Sequence, residues 1–195
     1  MRIFLVVCFA LTSPAFAHTD VGSTSGFIHG LSHPINGIHH ILAMVAVGIF
    51  AANLGGRAIW AVPLTFITLM AVGGVLGISG VPVPFVELGI AFSIIVFGLA
   101  VAVQWDWPVA AAMTPVGVFA IFHGHAHGTE MPVDAAGAEY AAGFVIATGL
   151  LHLIGIGIGL GIARAAMTIA NGRRITQIGG GVIAVLGVGV LMGIV

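Results

Sequence analysis

The sequence predicts an all-α, polytopic membrane protein: a six-transmembrane-helix bundle with a broken first helix, preceded by a cleavable signal peptide. Three observations carry this expectation. Of the 195 residues, 59% are hydrophobic and only 6% charged, whereas soluble domains are about one quarter charged. Apolar windows of about twenty residues, the length that crosses a hydrocarbon core as a helix, recur along the chain. Between those windows lie short segments of turn residues. Mean hydropathy is +1.21, and the 30 glycines together with the absence of lysine suit helices whose backbones approach closely in lipid.

The chain opens with Arg2, an apolar run from Ile3 to Leu11, and the small-residue site Ala15-Phe16-Ala17. That run is too short to span, so residues 1–17 read as a secretory leader and 18–195 as the membrane domain. Cleavage after Ala17 places His18 at the new N-terminus, where amine and imidazole on one residue can chelate a metal. Cys8, the only cysteine, falls in the leader, which leaves nitrogen and oxygen as the ligands of any metal.

Six helices are expected: Phe27 to Ala52, Ala58 to Ser79, Val83 to Val103, Pro108 to His127, Gly137 to Ala163, and Ile175 to Val195. Asn53-Leu54-Gly55-Gly56, Ser79-Gly80-Val81-Pro82, Trp105-Asp106-Trp107-Pro108 and Asn171-Gly172 punctuate them. An even number of spans behind an exported leader puts both mature termini outside. On that topology Arg57, Arg164, Arg173 and Arg174 all fall at inner loops, as the positive-inside rule requires. Asp20, Glu130, Asp134 and Glu139 lie outside, with Glu87 near the outer end of the third span. The expected location is the bacterial inner (plasma) membrane, multi-pass.

The first span carries a polar seam. At about 100° per residue, His29, His33, Asn36, His40 and Met44 fall within a stripe of roughly 80°, and His39 lies about 100° off it. Pro34 lacks an amide hydrogen and clashes with the Gly30 carbonyl, so the helix should kink or break near it. A broken helix at membrane depth frees carbonyls beside imidazoles, which is the chemistry of an ion site. The fourth span ends Phe122-His123-Gly124-His125-Ala126-His127-Gly128-Thr129-Glu130, and spacings of four and three put His123, His127 and Glu130 on one face. His125 points elsewhere unless the helix has already ended. His152 stands alone in the fifth span, either a ligand or a hydrogen-bonding partner of a neighbouring helix; Glu87 carries the same two readings.

Ionisable side chains within spans are costly and mark function, so the histidine set reads as a metal site. Imidazole and carboxylate without thiolate favour nickel, cobalt, zinc or copper(II) over copper(I). Met44 reads as a packing residue, and so do Gly155, Gly157, Gly159, Gly161 and Gly179 to Gly181. No basic cluster suited to a phosphate backbone occurs, which sets nucleic acid aside. No GxxxxGK[ST] loop occurs either, so nucleotide-driven transport would need another protein. The expected partners are a divalent metal ion and the lipid bilayer, with a second copy of the chain left open.

These residues resemble the HupE/UreJ family over nearly the whole mature chain. The resemblance rests on His33-Pro34-Ile35-Asn36-Gly37-Ile38-His39-His40, the following Leu42 to Gly48, Val86-Glu87, Phe122 to Glu130, and Leu151-His152-Leu153-Ile154-Gly155. It implies a six-span permease rather than an enzyme, associated with hydrogenase and urease maturation or cobalamin supply. Its cargo would be Ni²⁺ or Co²⁺, with Zn²⁺ as an option, and no cofactor would be permanently bound. His39 stands where the family pattern has Asp, which removes a negative charge and exchanges a hard oxygen for nitrogen. The expected ligand set is His29, His33, His40, His123, His127 and Glu130, with Glu87, His152, His39 and His18 contributing. The rivals are a metal-binding subunit that does not transport, and a haem protein or metalloenzyme with histidine ligands on separate spans.

Overall fold

The computed structural model describes residues 26–104, 106–131 and 137–194. Seven α-helices and no strand occur among them: α1 (Gly26–Asn36), α2 (Ile38–Leu54), α3 (Ala58–Ile78), α4 (Val86–Ala102), α5 (Val109–Glu130), α6 (Gly137–Ala165) and α7 (Ile169–Leu191). The leader and His18 lie outside the described residues. α3, α5, α6 and α7 are long and apolar enough to cross a membrane, and α1 with α2 supplies a fifth crossing if the bent pair is one span. α4 has 17 residues, which at about 1.5 Å each is shorter than the roughly 30 Å hydrocarbon core.

The break in the first helix falls at Gly37, three residues beyond the expected Pro34. α1 continues through Pro34 to Asn36, Gly37 is extended (φ −100°, ψ 111°), and α2 leaves at 80° to α1. The carbonyl of Gly37 restarts the ladder, accepting from the amides of His40 at 3.0 Å and Ile41 at 3.1 Å. Glycine is needed here for space: a Cβ at Gly37 would come within 2.9 Å of the His40 ring.

Two boundaries differ from the sequence expectation for local reasons. α4 begins at Val86 and not Val83, because Pro84 disfavours the helical conformation for the Val83 that precedes it. α7 begins at Ile169 and not Ile175, because the Thr168 hydroxyl caps it, accepting from the Asn171 amide at 3.2 Å. Asn171-Gly172, which reads as a turn, is therefore helical.

Glycines set how the helices pair. α3 lies against α5, α4 against α7, and α6 against both α1 and α2. A Cβ at Gly124 of α5 would overlap the Met70 carbonyl of α3, and one at Gly155 of α6 would overlap the Val45 carbonyl of α2. α2 occupies the centre and also touches α3, α4 and α7. Its Ala43, Met44, Ala46, Val47 and Ala51 are fully buried. The packing reading of Met44 thus agrees with its position. The register of these contacts runs α2, α4 and α6 one way and α3, α5 and α7 the other, which gathers Arg57, Arg164, Arg173 and Arg174 at one end of the bundle. The histidines of α1 and α5 collect towards the opposite end.

Candidate metal centre

Three elements meet at that end: the α1–α2 break, the C-terminal turns of α5 and the first turns of α6. His33 (α1), His40 (α2) and His127 (α5) converge so that one nitrogen from each lies within 4.8 Å of the other two. Their ring centroids are 4.7 Å apart for His33–His127, 4.4 Å for His40–His127 and 6.1 Å for His33–His40. Around a tetrahedral ion with metal–nitrogen bonds of about 2.0–2.1 Å, the nitrogens would be roughly 3.3 Å apart. The site thus needs a closure of about 1.5 Å at most to hold an ion.

Glu130 completes this face. α5 extends past the expected end at His127 to Glu130, which preserves the helical spacing between them. Oε2 of Glu130 stands 3.6 Å from Nε2 of His33 and 3.7 Å from Nδ1 of His127. These are ion-pair distances, longer than hydrogen bonds. The carboxylate can orient the two imidazoles or swing in as an oxygen ligand.

Most of these imidazole nitrogens have no hydrogen-bond partner. His40 Nδ1, His123 Nδ1, both nitrogens of His127 and both of His152 are buried and unpartnered, as is the Tyr140 hydroxyl. Each unsatisfied buried polar group costs about 1–3 kcal/mol. Side chains held ready for a ligand that the protein itself does not supply account for such a cost.

The remaining sequence-derived residues divide by position. His29 is exposed at the rim of the cluster, its ring 6.2 Å from His33 and 5.6 Å from Tyr140. His39 touches His40 (4.1 Å between centroids) but turns away from the cluster, lining a shallow cavity with Glu87, Ile90, Val190 and Leu191. His123 is fully buried one turn below His127, and His152 is buried deeper on α6. His125 serves the fold: its ring Nε2 donates to the Val81 carbonyl at 2.8 Å and ties down the segment after α3.

Four side chains around the site escaped the sequence reading. Ser93 hydrogen-bonds His123 at 3.0 Å, Phe144 lies 4.2 Å from His127, Phe66 contacts both His123 and His152, and Tyr140 sits beside His29 and His33. Ser93 and Tyr140 carried a usable signal. Ser93 is the one hydroxyl in α4, and Tyr140 the one tyrosine in the chain. The two phenylalanines look like any other apolar residue of a span.

Comparison with known proteins places the chain in a family. A profile of the family described as HupE / UreJ protein matches residues 5–190. Protein HupE of Rhizobium leguminosarum bv. viciae is 44% identical over 186 residues, 94% of each chain. No solved structure matches. On a match that covers almost the entire chain, including every histidine of the cluster, this protein belongs to the HupE/UreJ family.

Proposed function

We propose that the protein is a permease that admits Ni²⁺ or Co²⁺ across the bacterial inner membrane, using His33, His40 and His127 as the binding site and Glu130 as the neighbouring carboxylate. The observation that carries this reading is the convergence of three imidazoles from three helices, two of them buried, within 4.8 Å. Family membership supports the choice of nickel or cobalt as cargo, and Zn²⁺ fits the same donors. Neutral imidazoles with one adjacent carboxylate bind a borderline divalent cation well enough to strip part of its water, yet without thiolates they release it again. The cation arrives along the acidic groups Glu87 and Glu130. His29 at the rim offers it a first nitrogen. The decisive measurement is uptake of radiolabelled nickel and cobalt, in competition, into liposomes containing the purified protein. Metal-dependent accumulation is expected; an inert protein would leave a binding subunit as the reading.

In this scheme the chain crosses six times, with α1 and α2 forming one broken span and α4 forming a short one held by α7. The arginine end then faces the cytoplasm and the histidine end faces outward. Reporter fusions after residue 194 and within the histidine-end connections should report an external location. Fusions in the loops holding Arg57 and Arg173 should report a cytoplasmic one, and a C-terminus found in the cytoplasm would contradict the topology.

His39→Asp tests the place where this chain departs from its family's pattern. The new carboxylate would lie in the cavity that Glu87 already lines, adding negative charge to the outer approach. A carboxylate with reference pKa near 4 stays ionised where an imidazole near 6.5 takes up a proton. Uptake by the variant should equal or exceed that of the parent and decline less as external pH falls towards about 6. An unchanged rate with an unchanged pH profile would remove His39 from the ion's route.

A further inference from the structure

We propose that His123 and His152 form a second, inner station for the same cation, reached after the His33–His40–His127 site; the inference rests on the transport reading above. Depth along the helices supports the order. Phe144 of α6 lies against His127, and His152 follows eight residues later, about 12 Å deeper into the bundle. His123 is one turn, about 6 Å, below His127 on α5. The imidazoles therefore descend stepwise: His123 lies 5.5 Å from His40 of the upper site, and Phe66 of α3 contacts both lower rings, at 5.5 Å from His123 and 5.0 Å from His152.

The hydrogen bonding leaves these two side chains free to ligate. Ser93 Oγ donates its single proton to the Ile90 carbonyl at 2.6 Å, so its contact with His123 Nε2 at 3.0 Å requires the imidazole to be the donor. That assigns the hydrogen to Nε2 and leaves the lone pair on Nδ1, which is buried without a partner. The serine thus acts as the group that fixes tautomer and ring orientation behind a metal ligand. His152 is 1% exposed and neither of its ring nitrogens has a partner. A histidine kept only to fill space would be better replaced by leucine, which carries no polar atom to leave unsatisfied. Thr148, four residues earlier on α6, is fully buried with its hydroxyl donating to Met70 Sδ at 3.8 Å. Its oxygen lone pairs remain to complete the donor set.

The two stations differ in charge. Glu130 stands at the upper cluster, while Ser93, Phe66, Thr148 and Met70 around the lower pair are all uncharged. A cation is consequently held more weakly below than above, which favours release towards the arginine end.

The test compares His152→Leu and His152→Gln with the parent and with His127→Ala, each purified and returned to liposomes. Equilibrium Ni²⁺ binding, initial Ni²⁺ uptake and thermal unfolding are recorded for each. Both His152 variants should keep the tighter, upper Ni²⁺ binding, lose the weaker, inner component of the isotherm and unfold at no lower temperature, and they should take Ni²⁺ up at least roughly tenfold more slowly. Parental uptake rates in both variants, beside an inactive His127→Ala, would overturn the inner station and leave the upper site standing. Loss of the tighter, upper binding, an isotherm identical to the parent's, or failure of both variants to fold would assign His152 to the upper site or to the core and overturn the proposal equally. A His127→Ala protein that binds and transports normally would instead overturn the upper site.

Discussion

His127→Ala is expected to abolish Ni²⁺ binding and uptake together, lowering affinity by more than roughly a hundredfold, since loss of a group that merely orients a ligand already costs about 10–100-fold. His127 is the hub of the cluster. It lies 4.7 Å from His33 and 4.4 Å from His40 between ring centroids and 3.7 Å from Glu130, and both of its nitrogens are buried without a hydrogen-bond partner. Removing it leaves two imidazoles, from α1 and α2, whose remaining neighbours on α5 are Glu130 beside His33 and His123 beside His40. The protein should still fold, because the substitution deletes two unsatisfied nitrogens and the helix around it is held through Gly124 and Gly128. His125→Ala is the informative partner. It sits two residues away, but its ring is engaged with the Val81 carbonyl, so it should bind metal as the parent does and lose some stability. Calorimetric titration of both variants decides the matter; retained binding by His127→Ala would dismantle the proposed site.

The contrast between His125 and His127 also shows what the sequence could convey. Helical spacing put His123, His127 and Glu130 on one face and His125 on another, and the structure has that arrangement. It could do so because α5 is one uninterrupted helix, where 100° per residue holds throughout. Across Gly37 the same arithmetic has no physical basis, since α2 departs at 80°. His33 and His40 nonetheless meet, through the bend and not through a continuous stripe. The break itself was foreseeable from Pro34, but its exact residue was not. Proline removes one hydrogen bond without dictating where the following chain will turn, and the turn falls at Gly37, where a side chain would press on the His40 ring. Convergence of α5 with the α1–α2 break was invisible to local pattern, because it depends on which glycine of one helix faces which carbonyl of another. The deeper neighbours Phe66 and Phe144 were hidden for a related reason: an aromatic residue in an apolar span has the same appearance whether it faces lipid or an imidazole.

Gly155→Leu and Gly157→Leu should have opposite consequences, although the sequence placed both in one packing stripe. A spacing of two residues turns about 200° around a helix, so the two cannot share a face. A side chain on Gly155 would drive into the Val45 carbonyl and the Gly48 backbone of α2, whereas nothing lies within 4 Å of a Cβ on Gly157. Gly159, a full turn from Gly155, meets the Ala52 methyl at 2.7 Å and continues the contact. Backbone cannot rotate aside as a side-chain end can, so leucine at Gly155 must separate α6 from α2, with a cost above the roughly 1–3 kcal/mol of ordinary overpacking. At about 1.4 kcal/mol per tenfold, the folded-to-unfolded ratio would fall by at least an order of magnitude. The damage also reaches the ion's route, because α2 carries His40 and α6 carries His152. Gly157→Leu adds an apolar side chain to an exposed face and removes a flexible residue from a helix interior, so its melting temperature should match or exceed the parent's. Size-exclusion thermal melts of the two detergent-solubilised variants measure this directly. Equal stability would show that the α2–α6 contact is not closed by the glycine face at Gly155.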